Sequence, residues 1–149
     1  MMKVIDVHAH IGRWMFPICD YDKESFKTLM DYNNIIYSII SSGPALEYNF
    51  VTGNHILFQM IADEERLFGY VVLNPHYLKE SLQELERYSR NPKCVGVKLH
   101  PEVHDYNVAG KATRKLFERI AELKLPVLVH CFGAEQIRNL AQAADLFPS

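Results

Sequence analysis

Short, β-branched apolar runs alternate along the chain with longer stretches in which apolar residues recur every three to four positions, and few residues separate one from the next. That pattern predicts successive βα units on a parallel sheet. The first strand is expected over Lys3 to Val7. A loop from Ile11 to Asp22 follows, then a helix from about Glu24 to Asn33 with Phe26, Leu29 and Met30 on one face. Ile35 to Ile40 is nearly all apolar, as expected of a parallel strand covered on both faces, and Ser41-Ser42-Gly43-Pro44 ends it. A helix from about Asn54 to Glu65 leads into a strand, Leu67 to Leu73, which stops at Asn74-Pro75 because proline cannot donate to the ladder. The alternation continues with a helix over Leu78 to Ser89, a strand over Cys94 to Leu99 and a helix over Lys111 to Leu123. A strand over Pro126 to Val129 and a helix over Ala134 to Leu146 complete it. No linker or shift in composition interrupts it, so residues 1–149 are expected to form one α/β domain of five βα units.

Composition narrows the class. Of 149 residues, 48% are hydrophobic and 23% charged, which places the chain among globular proteins long enough to bury a core. A formal net charge of -2, without a run of like charges, gives no electrostatic reason to expect nucleic acid or an anionic membrane as partner. A small uncharged or acidic metabolite remains open. No apolar stretch approaches the roughly 20 residues of a membrane span, and the start reads straight into a strand, so the cytoplasm is the expected location. Cys19, Cys94 and Cys131 form no CxxC pair and are odd in number, which argues for reduced thiols, with Cys94 and Cys131 in the core.

The candidate chemistry gathers at strand ends. In Asp6-Val7-His8-Ala9-His10, residues two apart point to the same side, so His8 and His10 converge, with Asp6 one step deeper. Two neutral imidazoles suit zinc, iron or nickel better than calcium or magnesium. A carboxylate below them would orient a metal-bound ring or serve as a direct ligand. The alternative is a pair of hydrogen-bonded histidines at a strand end. Two further strands end in histidine at the same carboxyl edge, as Val97-Lys98-Leu99-His100-Pro101 and Val127-Leu128-Val129-His130-Cys131. With Val95, Val97 and Leu99 toward the helices, Lys98 and His100 face inward. A buried lysine there calls for a carboxylate, a metal-bridging role or an anionic substrate, and an ion pair with Asp6 is the structural alternative. His130 is the expected third ligand; a core histidine bonded to a backbone carbonyl is the commoner fate of a lone one. His55 is expected at a helix start on the surface. His76, His104 and Asp105 lie in loops where substrate contact or solvent exposure would both fit. Trp14, Met15 and Phe16 are expected as an apolar wall over the site, a piece of core or a partner surface. The chain has no GxGxxG, GxxxxGK or GxSxG motif, so nucleotide binding and serine hydrolase chemistry are poorly supported.

Three blocks together resemble the amidohydrolase superfamily, in its amidohydrolase-related group that includes the aminocarboxymuconate semialdehyde decarboxylase-like enzymes. They are Ile5-Asp6-Val7-His8-Ala9-His10, Gly96-Val97-Lys98-Leu99-His100-Pro101 and Pro126-Val127-Leu128-Val129-His130. The resemblance spans the whole chain. It implies a partial (β/α)8 TIM barrel holding about five of eight strands, with strands six to eight absent, together with a histidine after strand six and an aspartate after strand eight. It also implies metal ligation by His8, His10 and His130, with Lys98 and His130 as catalytic candidates. A deoxyribonuclease-like branch shares the His-x-His start but carries a glutamate in strand four, where this chain has Lys98, and ranks lower.

The expected function is therefore metal-dependent hydrolysis of a small-molecule amide, ester or lactone by a metal-activated water. Zinc is the first choice of cofactor, with manganese, iron or nickel as alternatives. Non-oxidative decarboxylation on the same scaffold is the second reading, with Lys98 holding the carboxylate. The third is a catalytically incomplete chain that binds metal or a partner without turnover. An open half-barrel leaves sheet edges to be covered, so a homo-oligomer or pairing with the missing barrel half is expected.

Overall fold

A computed structural model describes residues 2–15 and 22–147. The expected Phe16 and Cys19 therefore lie outside the described residues. Five parallel strands, β1 (Val4–Ile11), β2 (Ile35–Ser42), β3 (Leu67–Val72), β4 (Cys94–Leu99) and β5 (Val127–Val129), form one sheet in the order β1-β2-β3-β4-β5. Helices cross between them: α1 (Lys23–Tyr32), α2 (Gly43–Glu47), α3 (Phe50–Met60), α4 (Leu78–Tyr88) and α5 (Lys111–Glu122), with α6 (Ala134–Leu146) after β5.

The helices form where apolar periodicity and capping agree. Asp22 starts α1 by accepting the Ser25 N–H at 2.8 Å. On α4, Ser81, Leu85 and Tyr88 are buried, and on α5, Thr113, Leu116, Phe117 and Ile120, each set following the helical repeat. These faces pack on the outward side of the sheet, where Val71, Val97 and Leu99 are fully buried. The inward side carries Tyr70 and Lys98.

The sheet curls. In a flat sheet β1 and β4 would stand about 14 Å apart, three strand spacings. Instead Lys98 Nζ on β4 reaches within 3.2 Å of His8 Nε2 on β1, and the Tyr70 hydroxyl on β3 donates to the Val7 carbonyl of β1 at 3.0 Å. Five strands thus form half of a barrel wall, with their carboxyl ends on one rim.

Between β2 and β3 two elements differ from expectation. Ser42 and Pro44 do not open a loop: the Ser42 hydroxyl accepts the Ala45 N–H at 3.2 Å and Pro44 sits in the first turn, so the short helix α2 follows β2 directly. At Gly43 a Cβ would lie 2.4 Å from the Arg13 carbonyl oxygen, so only glycine lets the loop after β1 pack there. The following helix starts at Phe50 rather than Asn54, because Asn49 caps it by accepting the Thr52 N–H at 2.9 Å. His55 consequently lies exposed within α3.

Among the described residues, no helix is long and apolar enough to cross a membrane. Cys94 is buried as expected, but Cys131 is partly exposed at the open edge beyond β5.

Candidate metal centre

β1 runs on through the histidines to Ile11, and an irregularity shapes the site within it. Asp6 pairs with Ser38 of β2 and Ala9 with Ile40, so three steps on β1 oppose two on β2. The extra residue is a bulge, which bends the strand and breaks simple alternation between Asp6 and His8. The Asp6 carboxylate accepts the backbone N–H of His8 at 3.0 Å, bracing the bulge. Beyond it, pairing is regular from Ala9 to Ile11, and the rings of His8 and His10 meet edge to face with centroids 5.3 Å apart.

Each histidine is fixed by a different partner. The Ser41 hydroxyl lies 2.9 Å from His10 Nδ1, leaving Nε2 without a hydrogen bond among the described residues. His8 Nε2 accepts from the Lys98 ammonium, which is completely buried. Lys98 therefore faces inward as β4 alternation requires, but its partner is an imidazole and not Asp6. His100, also inward, is nearly buried, and its Nδ1 accepts the Val103 N–H at 3.3 Å.

His130 follows β5, its N–H donating to the Leu99 carbonyl at 3.0 Å. Its ring stacks on that of His100 with centroids 4.1 Å apart and 9° between planes, and its Nε2 lies 3.1 Å from Glu102 Oε2. A carboxylate accepts only, so Nε2 carries the proton and Nδ1 the free lone pair. The Trp14 ring lies 4.9 Å from that of His10 and 6.5 Å from that of His100, centroid to centroid. Met15 is exposed, and its N–H donates to Glu47.

Burial, reinforced by Lys98, lowers the pKa of His10 to about 4, and the same two causes lower that of His8. Burial first, then His130 and Lys98, brings His100 to about 3. Lys98 itself falls to about 8, through burial. At neutral pH these three rings are uncharged and present lone pairs, with a single ammonium among them.

The donor set suits a divalent cation in kind. Neutral imidazoles converge from one rim, and a positive group already lies on one of their lone pairs. The rings of His8 and His10 stand 5.3 Å apart and those of His100 and His130 4.1 Å apart, centroid to centroid. Among the described residues, no group of three His, Cys, Asp or Glu side chains closes to metal-holding distance.

Sequence reasoning did not single out Ser41 or Glu102. Ser41 breaks an apolar strand at its carboxyl end, and Glu102 stands two residues past His100; these polar interruptions were the available signals.

A family profile described as Amidohydrolase matches residues 5–149. No curated protein sequence matches the chain. Among solved structures, a 2,6-dihydroxybenzoate decarboxylase from Rhizobium aligns at a TM-score of 0.73 and 15% identity, over 99% of this chain and 55% of that one. A dihydroxybenzoic acid decarboxylase from Polaromonas sp. JS666, with bound manganese and the inhibitor 2-nitroresorcinol, aligns at 0.71 and 17%, over 98% and 55%. A structure described as a probable 2-pyrone-4,6-dicarboxylic acid hydrolase from Acinetobacter baumannii, with citric acid bound, aligns at 0.55 and 20%, over 87% and 50%. The chain spans about half the length of these structures. At such identities the likeness establishes the fold, a partial (β/α)8 barrel. With the profile covering nearly every residue, the chain belongs to the amidohydrolase family.

Proposed function

We propose that this chain supplies the first half of a metal-dependent active site that acts on a small carboxylated substrate, by hydrolysis of an ester, lactone or amide bond or by loss of the carboxylate as CO2. The observation that carries the reading is Lys98. Its ammonium is fully buried at the carboxyl rim and, among the described residues, hydrogen-bonds an imidazole and meets no carboxylate. An uncompensated buried cation is costly, and an anionic substrate group arriving beside His8 would offset it.

His8, His10 and His130 would hold the divalent cation, zinc or alternatively manganese, iron or nickel, which when bound polarises a substrate oxygen. Ser41 fixes the ring of His10, and Glu102 leaves Nδ1 of His130 as its donor atom. Trp14 walls the site and limits water. Lys98 binds the substrate carboxylate. The decarboxylation reading is supported by this same lysine and by the dihydroxybenzoate decarboxylases among the structural neighbours; the hydrolytic reading, by the pyrone dicarboxylic acid hydrolase.

β1 and β5 each have one edge without a strand partner among the described residues, and Ile5, Val7, Phe132 and Ile137 are more than half exposed near them. The reading extends to those edges being covered in the active form, by a second copy or by further barrel strands. A monodisperse monomer in light scattering that also turns over substrate would refute this extension.

The test of the site is titration of zinc and manganese into chelator-stripped protein. Alanine at His8, His10 or His130 is expected to weaken affinity by more than the roughly 10- to 100-fold typical of a supporting residue, with Asp6→Asn within that range. A stoichiometry near zero that is indifferent to His8 and His10 would sink the metal reading. CO2 release from a dihydroxybenzoate, set against ring opening of a carboxylated lactone, separates the two reactions.

A further inference from the structure

The peptide between Val7 and His8 lies at the bulge of β1. On β2 only Ile39 stands between Ser38 and Ile40, the partners of Asp6 and Ala9, so Val7 and His8 share one counterpart. Two side chains hold this peptide. Its N–H, that of His8, donates to the Asp6 carboxylate at 3.0 Å, and its carbonyl, that of Val7, accepts the Tyr70 hydroxyl at 3.0 Å. The two polar groups of a trans peptide point opposite ways, so the unit is gripped on both sides.

Asp6 belongs to the bulged strand itself. Tyr70 does not: it sits on β3, and its side chain passes β2 to reach β1. The ring is buried, and its course depends on Gly96, its register partner on β4. A Cβ at Gly96 would stand 3.0 Å from Cδ1 and Cε1 of the ring, closer than carbon atoms pack, so a side chain there would push the ring aside. A rigid, buried aromatic side chain with two rotatable bonds thus delivers one hydroxyl to one carbonyl. That carbonyl adjoins the Cα of His8, whose ring meets Lys98 at 3.2 Å. Rotation of the Val7–His8 peptide would swing the Cα–Cβ bond of His8 and carry the imidazole with it.

We propose that Tyr70 is a positioning residue of the histidine centre: by holding the Val7 carbonyl it fixes the Val7–His8 peptide, and so the direction from which the His8 imidazole enters the site. What His8 then does rests on the metal-centre reading above. The clamp itself is measurable without any metal.

The test compares the full chain with Tyr70→Phe, which keeps the ring in its slot and removes only the donor. Amide hydrogen exchange is followed by NMR with chelator present. Exchange at His8 is expected to quicken roughly ten-fold relative to the amides of Ile40 and Val71 on the neighbouring strands, and the His8 Nε2 resonance to move as its contact with Lys98 loosens. A rise shared equally by all three amides would mean a merely structural role and overturn the proposal. Unchanged exchange at His8, the result if water replaces the hydroxyl, would overturn it as well. Zinc is then titrated into both chelator-stripped proteins by calorimetry. Tyr70→Phe is expected to bind roughly ten-fold more weakly, and equal affinities would show that the clamp does not serve the cation. Absence of zinc binding in both proteins would refute the metal-centre reading instead, and the exchange result would still decide whether Tyr70 positions His8.

Discussion

Replacing Lys98 by methionine should stabilise the chain at neutral pH. The stem of Lys98 is completely buried, and methionine fills nearly the same volume without a charge. Burial brings the ammonium from its ordinary 10.5 to about 8. At about 1.4 kcal/mol for each unit, holding the proton in the folded chain costs about 3 kcal/mol. Loss of the contact with His8 Nε2 returns about 1 kcal/mol of that, leaving a net gain of about 2 kcal/mol at pH 7. The pH dependence carries the same signature. Below pH 8 both folded and unfolded chains hold the proton and the penalty is present in full. Between 8 and 10.5 the unfolded chain binds more protons than the folded one, so wild-type stability rises with pH across that window. The variant has no such rise. Urea unfolding of both proteins at pH 7 and pH 10 measures it. The advantage of Lys98→Met should be about 2 kcal/mol at pH 7 and should vanish or reverse by pH 10. A variant less stable than wild type at pH 7, or an advantage unchanged at pH 10, would refute the reasoning.

Two further predictions concern groups that hold the site in place. Asn54 is completely buried on α3: it donates to the Val72 carbonyl at 2.9 Å and to Glu84 at 3.2 Å, and accepts the Val72 N–H at 2.9 Å. Asn54→Ala strands those groups next to the residue that pairs with Lys98, and should lower stability by about 3 to 5 kcal/mol in urea unfolding; a loss under about 1 kcal/mol would mean that water replaces the side chain. Glu102→Ala frees the ring of His130, and zinc affinity by calorimetry should fall roughly 10- to 100-fold if Nδ1 of His130 is a ligand; unchanged affinity in this variant and in His130→Ala would remove His130 from the site.

Where sequence and structure agree, the signal was local. β4 and α6 have their expected bounds, Cys94–Leu99 and Ala134–Leu146, because turn residues punctuate both sides of each. β1 was expected over Lys3 to Val7, where the apolar residues lie, yet it continues to Ile11. Its backbone pairs with Ser41 and Ser42, which were read as the end of their own strand. Each extension depends on the other, and neither is visible in one segment alone. The helix α2 was missed because five residues carry no periodicity, only a capping serine and a proline.

The site divides along the same line. Alternation on β4 placed Lys98 and His100 on the inward face, since a two-residue period leaves no other choice once Val95, Val97 and Leu99 face the helices. It could not say which group Lys98 would meet. In a flat sheet the nearest carboxylate or imidazole on β1 is out of reach, so that pairing depends on how far the sheet curls, a property of all five strands together. The bulge between Asp6 and Ala9 then decides between candidates on β1. It turns the Asp6 carboxylate onto the His8 backbone and leaves the His8 ring for Lys98. A single extra residue thus replaces the ion pair that spacing allows with an ammonium that has no carboxylate partner among the described residues. A fold selected only for stability would fill position 98 with an aliphatic side chain, and a buried cation that lowers stability belongs where sequence rules yield to chemistry.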